Sequence, residues 1–205
     1  ITYALEIIAP SEDNNINIYL DEGTYSPSLT GETYPINTIS NVNLIGAGEE
    51  LTILDAEQTD RVITIEYSEN IFISNLSIIN GYAFNESYPD DCAGGIFISF
   101  SNNIIIENVT LMYNDAFYAG AGISLLNNVN PSYFNNISIS NNYVEYFGAG
   151  ISMENSSPII SNSIINDNIG DGIFMAYGSS PIISNTTIVN NIYDGVWGGY
   201  GGGIF

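Results

Sequence analysis

The chain contains no histidine, no lysine, a single arginine (Arg61) and a single cysteine (Cys92), and no apolar run approaches the ~20 residues of a membrane-spanning helix. Each absence excludes a class of function. Without His or Lys there is no His general base, no Lys nucleophile and no Cys/His pair, which leaves carboxylates, Tyr, Ser/Thr and Arg61 as chemical groups. With one base there is nothing to displace counterions from a phosphate backbone, so no nucleic-acid partner is expected. Attraction to an anionic membrane surface and membrane insertion are disfavoured too. A lone Cys92 forms no intrachain disulfide and reads as an ordinary thiol. The chain begins without Met or a cleavable signal sequence, so it is expected to be a processed form or a piece of something longer.

What is present is acidic and apolar together. The 205 residues carry 23 Asp plus Glu, a formal net charge of -22, 45% hydrophobic residues, 15 Tyr and 9 Phe. That is too apolar for a disordered acidic tail and suits one folded domain with a substantial core.

Internal repeats organise it. A Gly-Ile motif recurs at Gly95-Ile96, Gly122-Ile123, Gly150-Ile151, Gly172-Ile173 and Gly203-Ile204. A second column holds Asn75, Asn108, Asn136, Asn162 and Asn185, with Gly46 in its place earlier. Two residues before it stand Leu44, Ile73, Ile106, Phe134, Ile160 and Ile183, and three residues after it Ile78, Leu111, Ile139, Ile165 and Ile188. Six residues after it come Gly81, Asn114, Asn142, Asn168 and Asn191. The segments around these columns are short, alternating and β-branched, so each unit reads as a coil of three short strands. One such coil cannot bury its own inward side chains. Stacking coils at the ~4.8 Å strand spacing builds a continuous core. The Asn75 column is expected to turn left-handed bends and to form an inward amide ladder, with Gly46 adopting the same bend. Residues 2–9 read as a helix ended by Pro10, whose Leu5/Ile8 face would cover the open end of the stack. Residues 1–36 are expected to form this cap and the first coil, and residues 37–205 the stacked coils. More coils are expected beyond Ile204-Phe205.

The sequence resembles right-handed parallel β-helix proteins of the pectin-lyase-like superfamily. The resemblance rests on the leading helix with Asp21-Glu22-Gly23-Thr24-Tyr25, and on Asn43-Leu44-Ile45-Gly46-Ala47-Gly48 with Thr52-Ile53-Leu54-Asp55. The later units, with Leu111-x-x-Asn114, Ile139-x-x-Asn142, Ile165-x-x-Asn168 and Ile188-x-x-Asn191, are also similar to repeats of chlamydial polymorphic outer membrane proteins. The resemblance implies an all-β, right-handed parallel β-helix with an amino-terminal capping helix. It also implies departures: for the basic residue of pectate-lyase-type sites there is only Arg61, in the turn before the Ile63/Ile65 strand and expected far along the stack from the densest acids, the His of polygalacturonase-like sites is absent, and Asp90-Asp91 matches the paired Asp of the latter only loosely. A chain of this charge would repel polygalacturonate.

Function is expected in the variable turns between the sixth-position column and the next Gly-Ile. They carry acids (Glu86, Asp90, Asp91, Asp115, Glu145, Asp171, Asp194) and rings, among them Tyr88, Tyr118, Tyr146, Tyr193 and Trp197. Two readings stand side by side. Rings stacking on sugars, with carboxylates accepting from hydroxyls, would bind a neutral glycan or surface ligand. Alternatively the rings pack on one another to order the loops while the acids stay solvated. Asp90, Asp91 and Asp115 are the set that would suit calcium. Six Asn-x-Ser/Thr sequons occur, of which Asn85 and Asn155 stand where a glycan could attach. The expected role is a non-catalytic module of an exported bacterial protein: a cell-surface stalk, adhesin or glycan-binding scaffold. The alternative is a polysaccharide-active enzyme using Asp91 with Asp115.

Overall fold

The computed structural model describes residues 1–84, 87–128, 131–193 and 202–205. All strand-to-strand ladders among them are parallel, and the chain climbs in coils with three principal faces. The first face pairs Ile36–Asn37, Ile63–Glu66, Ile96–Ser99, Ile123–Leu126, Ile151–Glu154 and Ile173–Ala176. The second and third are continuous in Glu69–Ile79 and Asn102–Met112, which run through Asn75 and Asn108 and bend there. A two-residue rung (Tyr82–Ala83, Asp115–Ala116, Tyr143–Val144) follows the third face and was not expected from the repeats.

The register explains why the columns recur. Ile63, Ile96, Ile123, Ile151 and Ile173 sit one above another on the first face, and none is exposed to solvent. On the second face Leu44, Ile73, Ile106, Phe134, Ile160 and Ile183 align. On the third, Leu54, Ile78, Leu111, Ile139, Ile165 and Ile188 do. Like side chains meet like at one strand spacing, so the core is a stack of matched layers. Little room is left beside it: a Cβ on Gly95 would come within 2.3 Å of the Gly122 carbonyl oxygen.

Each coil turns on left-handed residues, and here two expectations change. The Asn75 column does adopt positive φ, from 49 to 56°, but it lies on the outer bend and is half-buried or exposed. Its amides stack from Asn136 to Asn108 (2.8 Å) and from Asn108 to Asn75 (3.1 Å); Asn162 steps sideways to Asn135 (2.8 Å). The inward ladder is the sixth-position column instead. Asn114 Nδ2 donates to Asn142 Oδ1 at 3.1 Å, Asn142 to Asn168 at 2.9 Å and Asn168 to Asn191 at 2.8 Å. Each of these amides also donates to a carbonyl of the coil before, as Asn142 does to Leu111 at 3.2 Å, so a buried polar column is satisfied throughout. Gly46 is not left-handed. It is glycine because a Cβ there would stand 2.1 Å from the Asn75 carbonyl oxygen.

The amino-terminal helix spans Thr2–Ile7, and Ile8 is already extended two residues before Pro10. Leu5 is buried in the core, with Ile1 and Ile8 packed against it, and the terminal ammonium pairs with Glu32. A second short helix, Pro27–Thr30, starts at Ser26, whose Oγ accepts from the Leu29 amide at 3.2 Å.

Candidate functional site: the turns folded over the first face

Alternation along the first face points Ile96, Ile98, Ile123 and Leu125 inward and Phe97, Ser99, Ser124 and Ser152 outward. All of these outward residues are nonetheless buried. The variable turns fold back over them: Phe97, Cys92, Ala93 and Ala119 form a second apolar cluster, with Tyr118, Leu126 and Phe147 packed against it.

Arg61 holds this cover in place. Its Nε donates to the Ala93 carbonyl oxygen at 2.9 Å, and Nη2 donates to those of Cys92 (2.6 Å) and Asp90 (3.1 Å). The guanidinium carbon lies 4.5 Å from the Phe97 ring centroid. Burial lowers the guanidinium pKa, opposed by the nearby carboxylates of Asp60, Asp90 and Glu66. The one cationic side chain is thus committed to main-chain carbonyls, and it stands at the Asp90-Asp91 turn rather than far from it, because that turn folds back across the coil to reach it.

The rings make a continuous path. Tyr82 stacks on Phe84 (4.6 Å between centroids), Phe84 meets Phe117 (5.8 Å), and Phe117 meets Tyr146 edge-on (5.2 Å). Tyr118 contacts Tyr88 (5.1 Å), Tyr146 (6.0 Å) and Phe147 (5.5 Å), and Phe147 stacks on Phe174 (4.7 Å). Tyr88 reaches two coils along, where its hydroxyl donates to Glu154 Oε2 at 2.7 Å. Burial, then the Glu154 hydrogen bond, raises the Tyr88 phenol well above its ordinary pKa. Of the expected glycan-contacting residues, Tyr88, Tyr118 and Tyr146 are therefore brought together. Tyr193 is half-buried in a later turn, and Trp197 lies outside the described residues. The rings do order the turns by packing on one another; Tyr88, Phe117 and Tyr82 keep exposed surface besides.

Three of the turn acids, Asp91, Asp115 and Asp171, are withdrawn from solvent, while Asp90 is exposed. Asp91 is buried beside the Cys92 thiol (3.9 Å), and desolvation raises its pKa, as it does that of half-buried Asp115. Burial likewise pushes the Cys92 thiol up, away from the reactive thiolate. Asp90, Asp91 and Asp115 do not gather: among the described residues no three acidic side chains form a metal-binding group. The reason is local, since Asp115 is fixed in the rung between Tyr82 and Tyr143 while the Asp91 carbonyl accepts from the Tyr118 amide at 3.0 Å. Asp171, read as a loop acid, is fully buried where Ala121 and Ala149 stand in the coils before it, and neither of its carboxylate oxygens has a hydrogen-bond partner. Desolvation lifts its pKa to about 6, and the Gly148 amide, too poorly placed for a hydrogen bond that meets ordinary geometry, only partly opposes it. The signal was visible as Gly170-Asp171-Gly172 replacing Gly-Ala-Gly, but its meaning depends on burial.

The match to known families follows the geometry. A family model described as "right handed beta helix region" matches residues 18–204. The chain belongs to the right-handed β-helix family. Among solved structures, this β-helix is similar to a candidate glycosyl hydrolase from Parabacteroides merdae, at 17% identity and a TM-score of 0.60, over 90% of this chain and 87% of that one. It is also similar to a pectin methylesterase in complex with a hexasaccharide, at 12% identity and a TM-score of 0.43, over 89% and 76% of the two chains. At these identities the likeness is one of fold, the right-handed parallel β-helix that the family match also gives. No curated protein matches the chain by sequence. No helix among the described residues is long and apolar enough to cross a membrane.

Proposed function

We propose that this β-helix is a non-catalytic carbohydrate-contacting module of an extracellular or cell-surface protein, and that it holds a neutral glycan on the turns over its first face. The observation that carries this reading is the Tyr88–Glu154 hydrogen bond at 2.7 Å within the Tyr88, Tyr118 and Tyr146 contacts. It joins ring surface and a carboxylate acceptor across coils and holds them before any ligand arrives, which lowers the ordering cost of binding. Neutral rather than acidic sugar fits a chain of net charge -22 whose one side-chain cation is buried. The test is binding to a panel of immobilised neutral glycans, with Tyr88→Ala/Tyr146→Ala as the comparison. A loss of about tenfold or more in affinity for at least one glycan of the panel supports the site, and a panel in which the double variant weakens binding to none rejects it.

Hydrolysis by loop carboxylates is the second reading. It draws on the upward shift of the Asp91 and Asp115 pKa values, because burial that favours the neutral carboxyl moves it toward the range of a general acid. Incubation with the same glycans and assay for released reducing sugar separates the two, since the binding module leaves them intact.

A further inference from the structure

The bend at the end of the first face contains its own comparison. Successive coils place Tyr67, Phe100, Asn127, Asn155 and Tyr177 at the same position, all left-handed, with φ between 47 and 54°. Asn suits this conformation, and Asn155 Nδ2 donates to Asn127 Oδ1 at 3.0 Å. A bulky ring there costs ~1–2 kcal/mol of backbone strain per residue. Burial returns little, because Tyr67 is 76% exposed and Phe100 47%. The two rings lie parallel, 2° apart with centroids at 5.2 Å. Such a pair contributes about 0.5–1.5 kcal/mol, less than the combined strain of two left-handed aromatics. The fold therefore does not ask for rings at this place: Asn127 and Asn155 serve in two coils before a lone ring returns at Tyr177.

The backbone beneath is held firmly. The Ser68 amide donates to Ser101 Oγ at 3.1 Å and the Ser101 amide to Asn128 Oδ1 at 2.9 Å. Beside the rings lies an open surface depression of about 270 Å³ lined by Ser40, Tyr67, Ser68, Glu69, Phe100 and Asn102. Ser40 Oγ accepts from the Glu69 amide at 3.0 Å, which leaves its hydroxyl hydrogen able to donate elsewhere.

We propose that this corner is a second carbohydrate seat, separate from the turns over the first face, in which a neutral hexose unit lies against the stacked Tyr67–Phe100 pair while Ser40, Glu69 and Asn102 engage its hydroxyls. Hydroxyls both donate and accept, which matches a rim containing serine hydroxyls, an amide and a carboxylate. An ammonium or guanidinium would use the acceptors alone. A sugar acid is repelled by the carboxylate and by the field of the whole chain.

The experiment uses saturation-transfer NMR and titration with cellohexaose, mannohexaose and laminarihexaose, on the wild-type chain, on Tyr67→Asn/Phe100→Asn and on Tyr88→Ala/Tyr146→Ala. Asn already occupies this bend in two coils, so the first variant is expected to melt no lower than wild type while losing tenfold or more in affinity for at least one hexaose. The second variant is expected to keep that binding, which distinguishes this seat from the turn surface. No transfer to any of the three sugars in the wild type overturns the proposal, and so does affinity unchanged in Tyr67→Asn/Phe100→Asn. Tyr67-dependent binding of hexalysine without a response to sugars also overturns it and assigns the corner to a cation.

Discussion

The guanidinium of Arg61 donates to the Cys92 carbonyl oxygen at 2.6 Å, across 31 residues of sequence. With the bonds to Ala93 and Asp90, this contact makes the one arginine a clamp for the turn that carries Asp90, Asp91 and Tyr88. Arg61→Met keeps an unbranched apolar stem and removes every donor, leaving buried carbonyls without partners. The expected loss is about 3–4 kcal/mol, seen as a fall in Tm on the order of 10 °C. Cys92, now inert under the clamped turn, is expected to react faster with a thiol reagent in the variant. An unchanged Tm and unchanged thiol reactivity would show that the clamp is dispensable.

The two asparagine columns differ in depth, and substitution should separate them. Asn142 is fully buried and its amide binds Asn168 Oδ1 and the Leu111 carbonyl, while its Oδ1 accepts from the Asn114 amide at 3.0 Å. Asn142→Leu has similar volume and leaves all of these groups unpaired, so it is expected to cost on the order of 3 kcal/mol. Asn136 is exposed at the outer bend, and Asn136→Ala is expected to cost only about 1 kcal/mol, from backbone strain. Urea unfolding at constant m measures both, and equal costs would contradict the assignment of the inward ladder.

Asp171 makes stability depend on pH with a definite sign. Its carboxyl rises from the ordinary 3.8 to about 6 in the folded chain, so the folded state binds the proton more tightly than the unfolded state does. Its favourable contribution is complete below about 3.8 and is lost as pH rises through about 6. Asp171→Ala restores the residue found at the same position in the two preceding coils and is expected to stabilise the chain above pH 6 by up to roughly 3 kcal/mol. Subtracting the variant's pH–stability curve from that of the wild type isolates this group from the other carboxylates. A difference that does not change between pH 4 and pH 7 would refute the account.

Much of the fold was legible because the same physical demand returns in each coil. Ile96, Ile123, Ile151 and Ile173 meet in one column, so each had to satisfy the same neighbours, and the demand left a visible repeat. The bends were legible for the same reason, although the repeat alone did not distinguish the outer column of Asn75 from the inner column of Asn114. Both show an asparagine at fixed spacing, and only the path of the backbone decides which amide points into the core. The candidate site was half legible. Tyr88, Tyr118 and Tyr146 stood out as rings in equivalent turns, and these turns do converge. That Tyr88 reaches Glu154, two coils away, follows from how one long turn lies down over the first face, and such a path occurs once and leaves no period.

By itself, then, the sequence determined the coils, their register and the isoleucine core, because parallel stacking places each residue against its own repeat at one strand spacing. The tertiary structure alone decided what the unrepeated residues do. It put Arg61 against three carbonyls, Asp171 among alanines without a partner and Tyr67 on a strained, exposed corner. These outcomes depend on burial and on contacts between distant turns. Neither burial nor such contacts can be read from spacing along the chain.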